Sequence, residues 1–275
     1  LWLASLALEG HESPESFIER FSGANQTISD YLAHDVLALQ SEEVRRFLMR
    51  TSILRHLNAS ICQALLPDTD AESMLCHLAS THTFLTPLDS DENTYRYHSL
   101  FAEFLKAQLK AEHPEEIPRL HQAASRWYDQ EQRPVPAIDH ALEGGDYERA
   151  LTLLRTHAAN LLSQGRMRLL SRWFSTIPPE HLQQDEELQM TWVWALCFTR
   201  GPTEAIEMLE ETRLEESDNP AIRPHVMAIR PLTLSMSDRQ EEAIEVGERG
   251  LPELPTCQPF ADMALINSMA NSYSV

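Results

Sequence analysis

The hydrophobic pattern of the chain changes its period at His98, and this change limits the possible folds more than any other feature. Tyr95 and Tyr97 alternate with polar residues, which predicts a β-strand. Helical spacing begins directly afterwards, with apolar residues at Leu100, Phe101, Phe104, Leu105 and Leu109. Because a polar turn at 89–93 precedes the strand, the segment predicts a β-hairpin that continues into an amphipathic helix.

The joint between this strand and this helix has chemistry of its own. Ser99 is predicted to cap the helix, since a hydroxyl at its start can accept a backbone N–H. The first N–H groups of the helix then point outward beside His98. Such a joint is well suited to meet a phosphate.

Three more helices are predicted before the hairpin. Ser41 and Asn58 have the chemistry of helix N-caps, and Thr69 and Glu72 have the spacing of a capping box. Three helices, a β-hairpin and a closing helix are the order of a winged-helix domain. Because the third helix, 71–81, contains no Arg or Lys, we expect it to serve packing or switching and not DNA reading.

The rest of the chain predicts helix after helix with short breaks. Three segments share a local pattern in which Ala150, Ala205 and Ala243 occupy the equivalent small position. Ala205 and Ala243 lie 38 residues apart, close to the tetratricopeptide period of about 34. Such repeats stack because one helix pair cannot bury its apolar face alone. An irregular helical bundle stays open as the alternative, because the period drifts.

Composition supports a mainly α fold. With 8 glycines and 16 prolines in 275 residues, few tight turns are expected. Residues 1–40 hold two further helical patterns, and the chain starts without Met in what looks like the middle of a helix. We interpret the chain as a segment of a longer protein.

Net charge and cysteine content indicate which kinds of partner and which cellular compartment to expect. The net charge of −20 repels a phosphate backbone, so we expect no direct contact with nucleic acid through this segment. No apolar run reaches 18 residues, which predicts no membrane span. The four cysteines are widely spaced among apolar residues, and we expect reduced core thiols in a cytoplasmic protein: Cys62, Cys76, Cys197 and Cys257.

Motifs for catalysis are missing from the sequence. It contains no phosphate-binding Gly-rich loop with Lys, no dinucleotide fingerprint and no nucleophile elbow. None of the 12 histidines stands at metal-ligand spacing, and the acidic run 207–216 is typical of a solvated helix face. We therefore expect no catalytic residue and no metal ligand in this chain. The tryptophans of 192–194 are interpreted first as helix packing and second as a ligand platform.

Six segments, in order and without large gaps, carry a family resemblance over roughly the first 150 residues. They are 17–23 (FIERFSG), 28–32 (ISDYL), 47–54 (FLMRTSIL), 84–89 (FLTPLD), 95–105 (YRYHSLFAEFL) and 137–142 (AIDHAL). Together they resemble MalT-like regulators, the large ATP-dependent members of the LuxR-type transcription activators. Beyond Asp185 the resemblance is only to a generic helical repeat.

The resemblance implies a signal-transducing NTPase of the STAND class. Such proteins carry a nucleotide domain, a winged helix, a tetratricopeptide-like superhelix and a C-terminal helix-turn-helix. Residues 1–40 would be the C-terminal helices of the nucleotide-binding region, 41–112 the winged-helix domain and 113–275 an incomplete set of helical repeats. No cofactor is expected within this chain, whereas the full-length parent would bind ADP and ATP.

The resemblance also implies a role for His98. In related STAND proteins a histidine at the start of the last winged-helix helix contacts the β-phosphate of ADP and locks the closed form. This sequence has Tyr97-His98-Ser99 where plant members have Met-His-Asp, so the acidic part of the lock is missing. His98 is accordingly the one predicted nucleotide-sensing residue, and a histidine that only caps the helix is the alternative.

The expected function is regulatory. The winged helix would gate the ADP/ATP state of a neighbouring nucleotide-binding domain, and the repeats would bind a small inducer or a regulatory protein. Self-association on activation is possible within this scheme. One alternative is a scaffold of helical repeats that binds a peptide and never meets a nucleotide, and an enzyme with an unrecognised helical site is the least favoured.

Overall fold

A computed structural model describes residues 37–80, 85–88 and 94–274 of the chain. The helices predicted within 1–40 and the hairpin turn at 89–93 lie outside the described residues, apart from 37–40. The described residues form thirteen α-helices and one two-stranded sheet, which confirms the mainly α fold. They divide into two compact units, Leu1–Arg133 and Pro134–Val275.

The first unit has the predicted order of a winged helix. Its elements are α1 (Glu42–Thr51), α2 (Ala59–Leu65), α3 (Ala71–Ser80), β1 (Leu85–Pro87), β2 (Tyr95–Tyr97), α4 (Ser99–Glu112), a 3-10 turn (Pro114–Glu116) and α5 (Ile117–Gln130). The sequence placed the start of the repeats at 113, whereas α5 packs on α2 and the chain divides after Arg133. The Trp127 indole N–H donates to the Ser60 hydroxyl over 2.8 Å and ties these two helices together.

Two of the predicted helix caps are confirmed. The Ser41 hydroxyl accepts from the Val44 N–H over 3.3 Å at the start of α1. The Asn58 side-chain oxygen accepts from the Ile61 N–H over 3.0 Å at the start of α2. Both bonds satisfy an N–H group that has no partner within its helix.

The predicted cap of α3 is wrong by one residue. The Ser73 N–H donates to the Asp70 carboxylate over 3.1 Å, and the Ser73 hydroxyl donates to the other oxygen over 2.8 Å. Thr69 is buried instead. Asp is as good an N-cap as Thr, so the spacing of Thr69 and Glu72 could not decide between the neighbouring positions.

The hairpin pairs β1 antiparallel to β2, with Leu85 opposite Tyr97 and Pro87 opposite Tyr95. A third strand position, which the sequence did not indicate, is Leu57 between α1 and α2. Leu57 and Tyr95 exchange both backbone N–H to O bonds, each at 2.8 Å. This bridge connects the hairpin to the three-helix part of the unit.

Tyr97 fixes β2 against the core of the winged helix. Its hydroxyl lies 2.7 Å from the Thr51 hydroxyl, which in turn donates to the Phe47 carbonyl over 2.7 Å. Complete burial raises the pKa of Tyr97 well above its ordinary value. The Tyr97 and Phe101 rings meet edge to face at 6.0 Å, so the strand is also packed on the helix that follows it.

Ion pairs hold α1 to the end of α4 and the turn after it. Arg50 donates two bonds of 2.5 Å to the Glu116 carboxylate, and Arg45 donates one of 2.5 Å to Glu112. The bond from Arg50 holds the pKa of Glu116 below its usual value.

The second unit is a series of helices that pack on the next helix in sequence and on the next but one. They are α6 (Pro134–Glu143), α7 (Tyr147–Ser163), α8 (Met167–Phe174), α9 (Glu186–Thr199), α10 (Pro202–Thr212), α11 (Arg223–Met236), α12 (Gln240–Glu248) and α13 (Pro259–Tyr273). Helix pairs α6–α7, α9–α10 and α11–α12 are in contact. This arrangement fits the predicted tetratricopeptide-like repeats.

Small residues lie where these helices approach one another. Ala150, Ala205 and Ala243 are at most 1% exposed, as the repeat pattern predicted. Gly247 is another close approach, because a Cβ there would lie 2.0 Å from the Met269 sulfur and would force that side chain to move. Gly145 has φ +69°, a left-handed conformation that glycine adopts readily, at the turn between α6 and α7.

All four cysteines are free thiols, but only two belong to the core. Burial raises the pKa of Cys62 to about 12 and that of Cys197 to about 11. Cys76 and Cys257 are exposed, contrary to the expectation of four core thiols. They lie among apolar residues in sequence, but their own positions point outward. Over the described residues, no helix is both long and apolar enough to cross a membrane.

Candidate functional site

The predicted nucleotide-sensing residue, His98, lies between β2 and α4. It occupies the N-cap position with φ −59° and ψ 136°, and its side chain is exposed. Alternation along β2 explains the exposure, because Tyr95 and Tyr97 point inward and Arg96 and His98 outward. The role predicted for Ser99 is wrong, since Ser99 is already the first residue of the helix.

The His98 side chain makes no capping bond to the helix. This observation argues against the alternative in which the histidine only caps α4. The first turn of α4 contains no acidic residue, so its partial positive charge is not neutralised from within the helix. An imidazole at the N-terminus of such a helix can bind an anion such as a phosphate.

One group on the winged-helix unit has the spacing of metal ligands. It consists of His113, Glu115 and Glu116. Both carboxylate oxygens of Glu116 accept bonds from Arg50, whose positive charge already offsets that of the carboxylate.

A second candidate site is a cavity of about 260 Å³ inside the repeat unit. Its walls come from α7, α9, the residues before α11, and the beginning of α13. The apolar part of the lining consists of Leu162, Met190, Ile222 and Phe260 among others. A small cavity with apolar walls and a few polar groups is typical of a small-molecule site.

His225 of α11 lines this cavity in its neutral form. Burial lowers its pKa to about 4, while a hydrogen bond with Gln258 and the charge of Asp262 act in the opposite direction. The Trp194 indole N–H donates to Nδ1 of His225 over 3.0 Å, so the proton of the neutral ring is on Nε2. The Trp194 ring also meets Phe260 edge to face at 5.0 Å.

The segment before α13 holds Gln258 in position. The Asp262 carboxylate accepts from the Thr256 N–H over 2.8 Å and from its hydroxyl over 2.5 Å. The Thr256 hydroxyl then accepts from the Gln258 N–H over 3.0 Å. This local network fixes the mouth of the cavity.

Sequence reasoning did not single out His225 or Gln258. Trp194 was interpreted first as helix packing, and the structure shows that it is fully buried. It contacts His225 and Phe260 of the lining but does not line the cavity itself, so packing is the confirmed interpretation and the ligand platform stays a prediction. No local motif marks the site, because its lining comes from segments about a hundred residues apart.

Comparisons with known proteins agree with the fold of both units. Residues 33–117 match the family model of the MalT winged helix domain. The chain is 27% identical to the HTH-type transcriptional regulator MalT of Klebsiella pneumoniae over 262 residues, which cover 94% of this chain and 29% of that protein. It is also 27% identical to MalT of Yersinia pestis over 272 residues, covering 94% of this chain and 30% of that protein.

A relative with a different name has the same degree of similarity. The serine/threonine-protein kinase PknK of Mycobacterium tuberculosis H37Rv is 27% identical over 266 residues, which cover 94% of this chain and 24% of the kinase. The chain thus spans less than a third of the length of each of these relatives.

A solved structure has a similar fold. It is the STAND protein with a tetratricopeptide repeat sensor from Pyrococcus horikoshii, with a TM-score of 0.54 and 13% identity, covering 99% of this chain and 43% of that one. At this identity the likeness concerns the fold alone. The predicted resemblance to MalT-like STAND regulators is confirmed, and it is most specific over residues 33–117, which match the MalT winged helix domain.

Proposed function

We propose that this chain is the regulatory segment of an ATP-dependent, MalT-like transcription activator of the cytoplasm. In this proposal the winged helix gates the nucleotide state and the helical repeats bind an inducer or a partner protein. The observation that carries the proposal is the position of His98, which is exposed at the N-terminus of α4.

The surroundings of His98 support a fixed contact with a phosphate. Tyr97 is bonded to Thr51 in the core, and Tyr95 is bridged to Leu57, so the strand that leads to His98 is anchored at two points. A donor held in place in this way loses little entropy when it meets its ligand. The β-phosphate of an ADP held by a neighbouring domain is the proposed acceptor.

The relatives support a regulatory role for this segment. An alignment over 94% of the chain relates it to a protein named as a transcriptional regulator, and another over 94% relates it to one named as a kinase. The two names describe different activities, transcriptional regulation and protein phosphorylation. A segment that both proteins share is therefore better suited to regulate such an activity than to carry it out. This chain therefore neither hydrolyses ATP nor reads DNA in our proposal.

The energetics of one contact are sufficient for a switch. A hydrogen bond to a charged group contributes about 1.5–3 kcal/mol. Its loss would weaken the binding of ADP by about ten- to a hundredfold and would shift the equilibrium toward the open state by the same factor. An inducer bound to the repeats would act on the same equilibrium if it binds the open form more tightly.

Reporter transcription tests this proposal in the full-length protein. His98→Ala should raise output in the absence of inducer, and His98→Gln, which keeps a donor, should raise it less. His77→Ala is the matched control, because His77 is an exposed histidine on α3 of the same unit. A folded His98→Ala protein that stays as silent as His77→Ala would contradict the gating role.

Nucleotide content separates the proposal from its alternative. The gating protein should retain ADP through purification, which chromatography of the released nucleotide detects. Should the folded full-length protein hold no adenine nucleotide at all, the scaffold of helical repeats would be the better description.

A further inference from the structure

We propose that the cavity between α7, α9, α11 and α13 binds a small primary amine with an apolar body, and that it rejects carboxylates and phosphates. This inference deepens the proposed function and rests on it only for the role of the repeats as a sensor. The binding of the ligand follows from the volume of the cavity, its lining and its charge alone.

The size of the cavity sets the size of the ligand. A volume of about 260 Å³ is less than twice that of a cavity of about 150 Å³, which holds one benzene molecule. A compound with roughly ten non-hydrogen atoms fills such a space at the packing density of a protein interior. Leu162, Met190 and Ile222 supply apolar contact, and the Phe260 ring provides a flat face.

The hydroxyl groups of the lining present lone pairs to the cavity. The Thr191 hydroxyl donates its hydrogen to the Glu187 carbonyl over 2.9 Å, and the Ser163 hydroxyl donates to the Asn160 carbonyl over 2.8 Å. Each oxygen can therefore only accept further bonds. A ligand can form hydrogen bonds with them only through N–H or O–H groups.

The remaining polar groups point to the same class of ligand. His225 has its Nδ1 occupied by Trp194, and it is hydrogen-bonded to Gln258. Glu187 supplies a carboxylate at the cavity, and no Arg or Lys is among the lining residues. An anion would have no counter-charge there, whereas an ammonium group has Glu187 as its partner and can lie over the Phe260 ring.

Three probes with the same body and different charge test this assignment. They are 2-phenylethylammonium, 2-phenylethanol and phenylacetate, each titrated into the full chain with ligand-observed NMR to obtain a Kd. We expect the amine to bind in the low millimolar range or tighter, the alcohol several-fold more weakly and the acid at least tenfold more weakly than the amine. No saturable binding of the amine at 10 mM, or binding of the acid as tight as that of the amine, would overturn the proposal.

Two variants locate the binding. Glu187→Gln should weaken the amine about threefold or more and leave the alcohol unchanged, while Glu207→Gln on the exposed face of α10 should change neither. Ala221→Phe, at a half-buried lining position, should abolish binding of both probes in a folded chain. Equal amine affinity in Glu187→Gln and wild type, or in Ala221→Phe and wild type, would remove the cavity as the site.

The outcomes for this site and for the nucleotide switch are distinguishable. The titrations use no nucleotide, so failure of the amine to bind leaves the His98 experiments untouched. Conversely, if the amine binds in the cavity but the full-length protein holds no ADP, the binding site is supported and only its role as the sensor of a nucleotide switch is contradicted.

Discussion

The two units of this chain build their interiors in different ways. The winged-helix unit closes one core, in which Phe47, Leu48 and Leu57 are all fully buried. The repeat unit distributes its large side chains along the series, with Trp173 in α8 and Trp194 in α9. A single core opens as a whole, whereas repeats depend mainly on their nearest neighbours. Helices of similar length can therefore unfold with different cooperativity in the two units.

The two units also present their histidines differently. His98 is exposed at a joint that the hairpin holds in place, and it can meet a ligand only on a neighbouring surface. His225 is half-buried, neutral and bonded to Trp194 beside a cavity within the repeat unit. The first arrangement suits contact with another domain, and the second suits a small molecule.

Truncation of one core residue in each unit tests the difference in cooperativity with the largest effect. Phe47→Ala and Trp173→Ala should each cost about 3–5 kcal/mol. Hydrogen exchange should rise throughout α1–α4 in the Phe47 variant, because these elements share one core. In the Trp173 variant it should rise mainly in α6, α8 and α9, since Trp173 also donates to Asp139 over 2.7 Å.

Phe198→Ala is the control for these truncations, because this ring is 50% exposed and its loss should stay within about 0.5 kcal/mol. If hydrogen exchange in Trp173→Ala rose equally in every helix of the repeat unit, the repeats would open together and not separately.

Acid should destabilise both units through one neutral histidine in each, the buried His121 and the half-buried His225. Burial lowers the pKa of His121 and that of His225 to about 4, against about 6.5 in an unfolded chain. Between these values the unfolded state binds more protons, so stability falls as the pH drops from 6.5 to 4. The loss per histidine is on the order of 3 kcal/mol at most.

Urea unfolding at pH 6.5 and pH 4.5 measures this loss. His225→Gln should reduce the pH dependence of the repeat unit, and His121→Gln should reduce that of the winged-helix unit. A variant whose stability still falls by the wild-type amount would show that its histidine is not the group responsible.

Overpacking at a repeat contact should have a smaller effect. Ala205→Leu adds bulk at a position that is 1% exposed and should cost about 1–3 kcal/mol. Glu207→Leu on the exposed side of the same helix should leave the melting temperature nearly unchanged. If both variants melt like wild type, α10 does not pack through Ala205.

Thiol labelling measures the opening of each unit without changing its stability. Cys76 and Cys257, one in each unit, should react with a maleimide at once because they are exposed. Cys62 and Cys197 are buried with raised pKa values, so each should react only when its own unit opens. Mass spectrometry of the labelled peptides would then report two separate opening rates. Immediate labelling of Cys62 would contradict the buried core of α2.

Local signals explain why so much of the winged helix could be predicted. Period, Pro and Gly positions and cap chemistry act over a few residues, so α1, α2 and the hairpin were visible in the sequence. The bridge between Leu57 and Tyr95 joins residues far apart along the chain, and nothing local marks it. The division after Arg133 likewise depends on the packing of α5 against α2, which helical periodicity does not specify.

The candidate sites differ in the same respect. His98 stands where the period changes, so its exposure and its position at a helix N-terminus could be predicted, whereas its role came from the family resemblance. The cavity could not be predicted, because Leu162, Met190 and Phe260 meet only after several helices have stacked. The neutral state of His225 also depends on burial that the sequence does not show.

The dissociation constant of ADP is the most direct test of the gating role of His98. Calorimetry on the full-length protein should give an ADP affinity about ten- to a hundredfold weaker in His98→Ala than in His77→Ala, in line with the loss of one charge-assisted hydrogen bond. Equal affinities in the two folded variants would contradict that role and would leave His98 as an exposed residue at the start of α4.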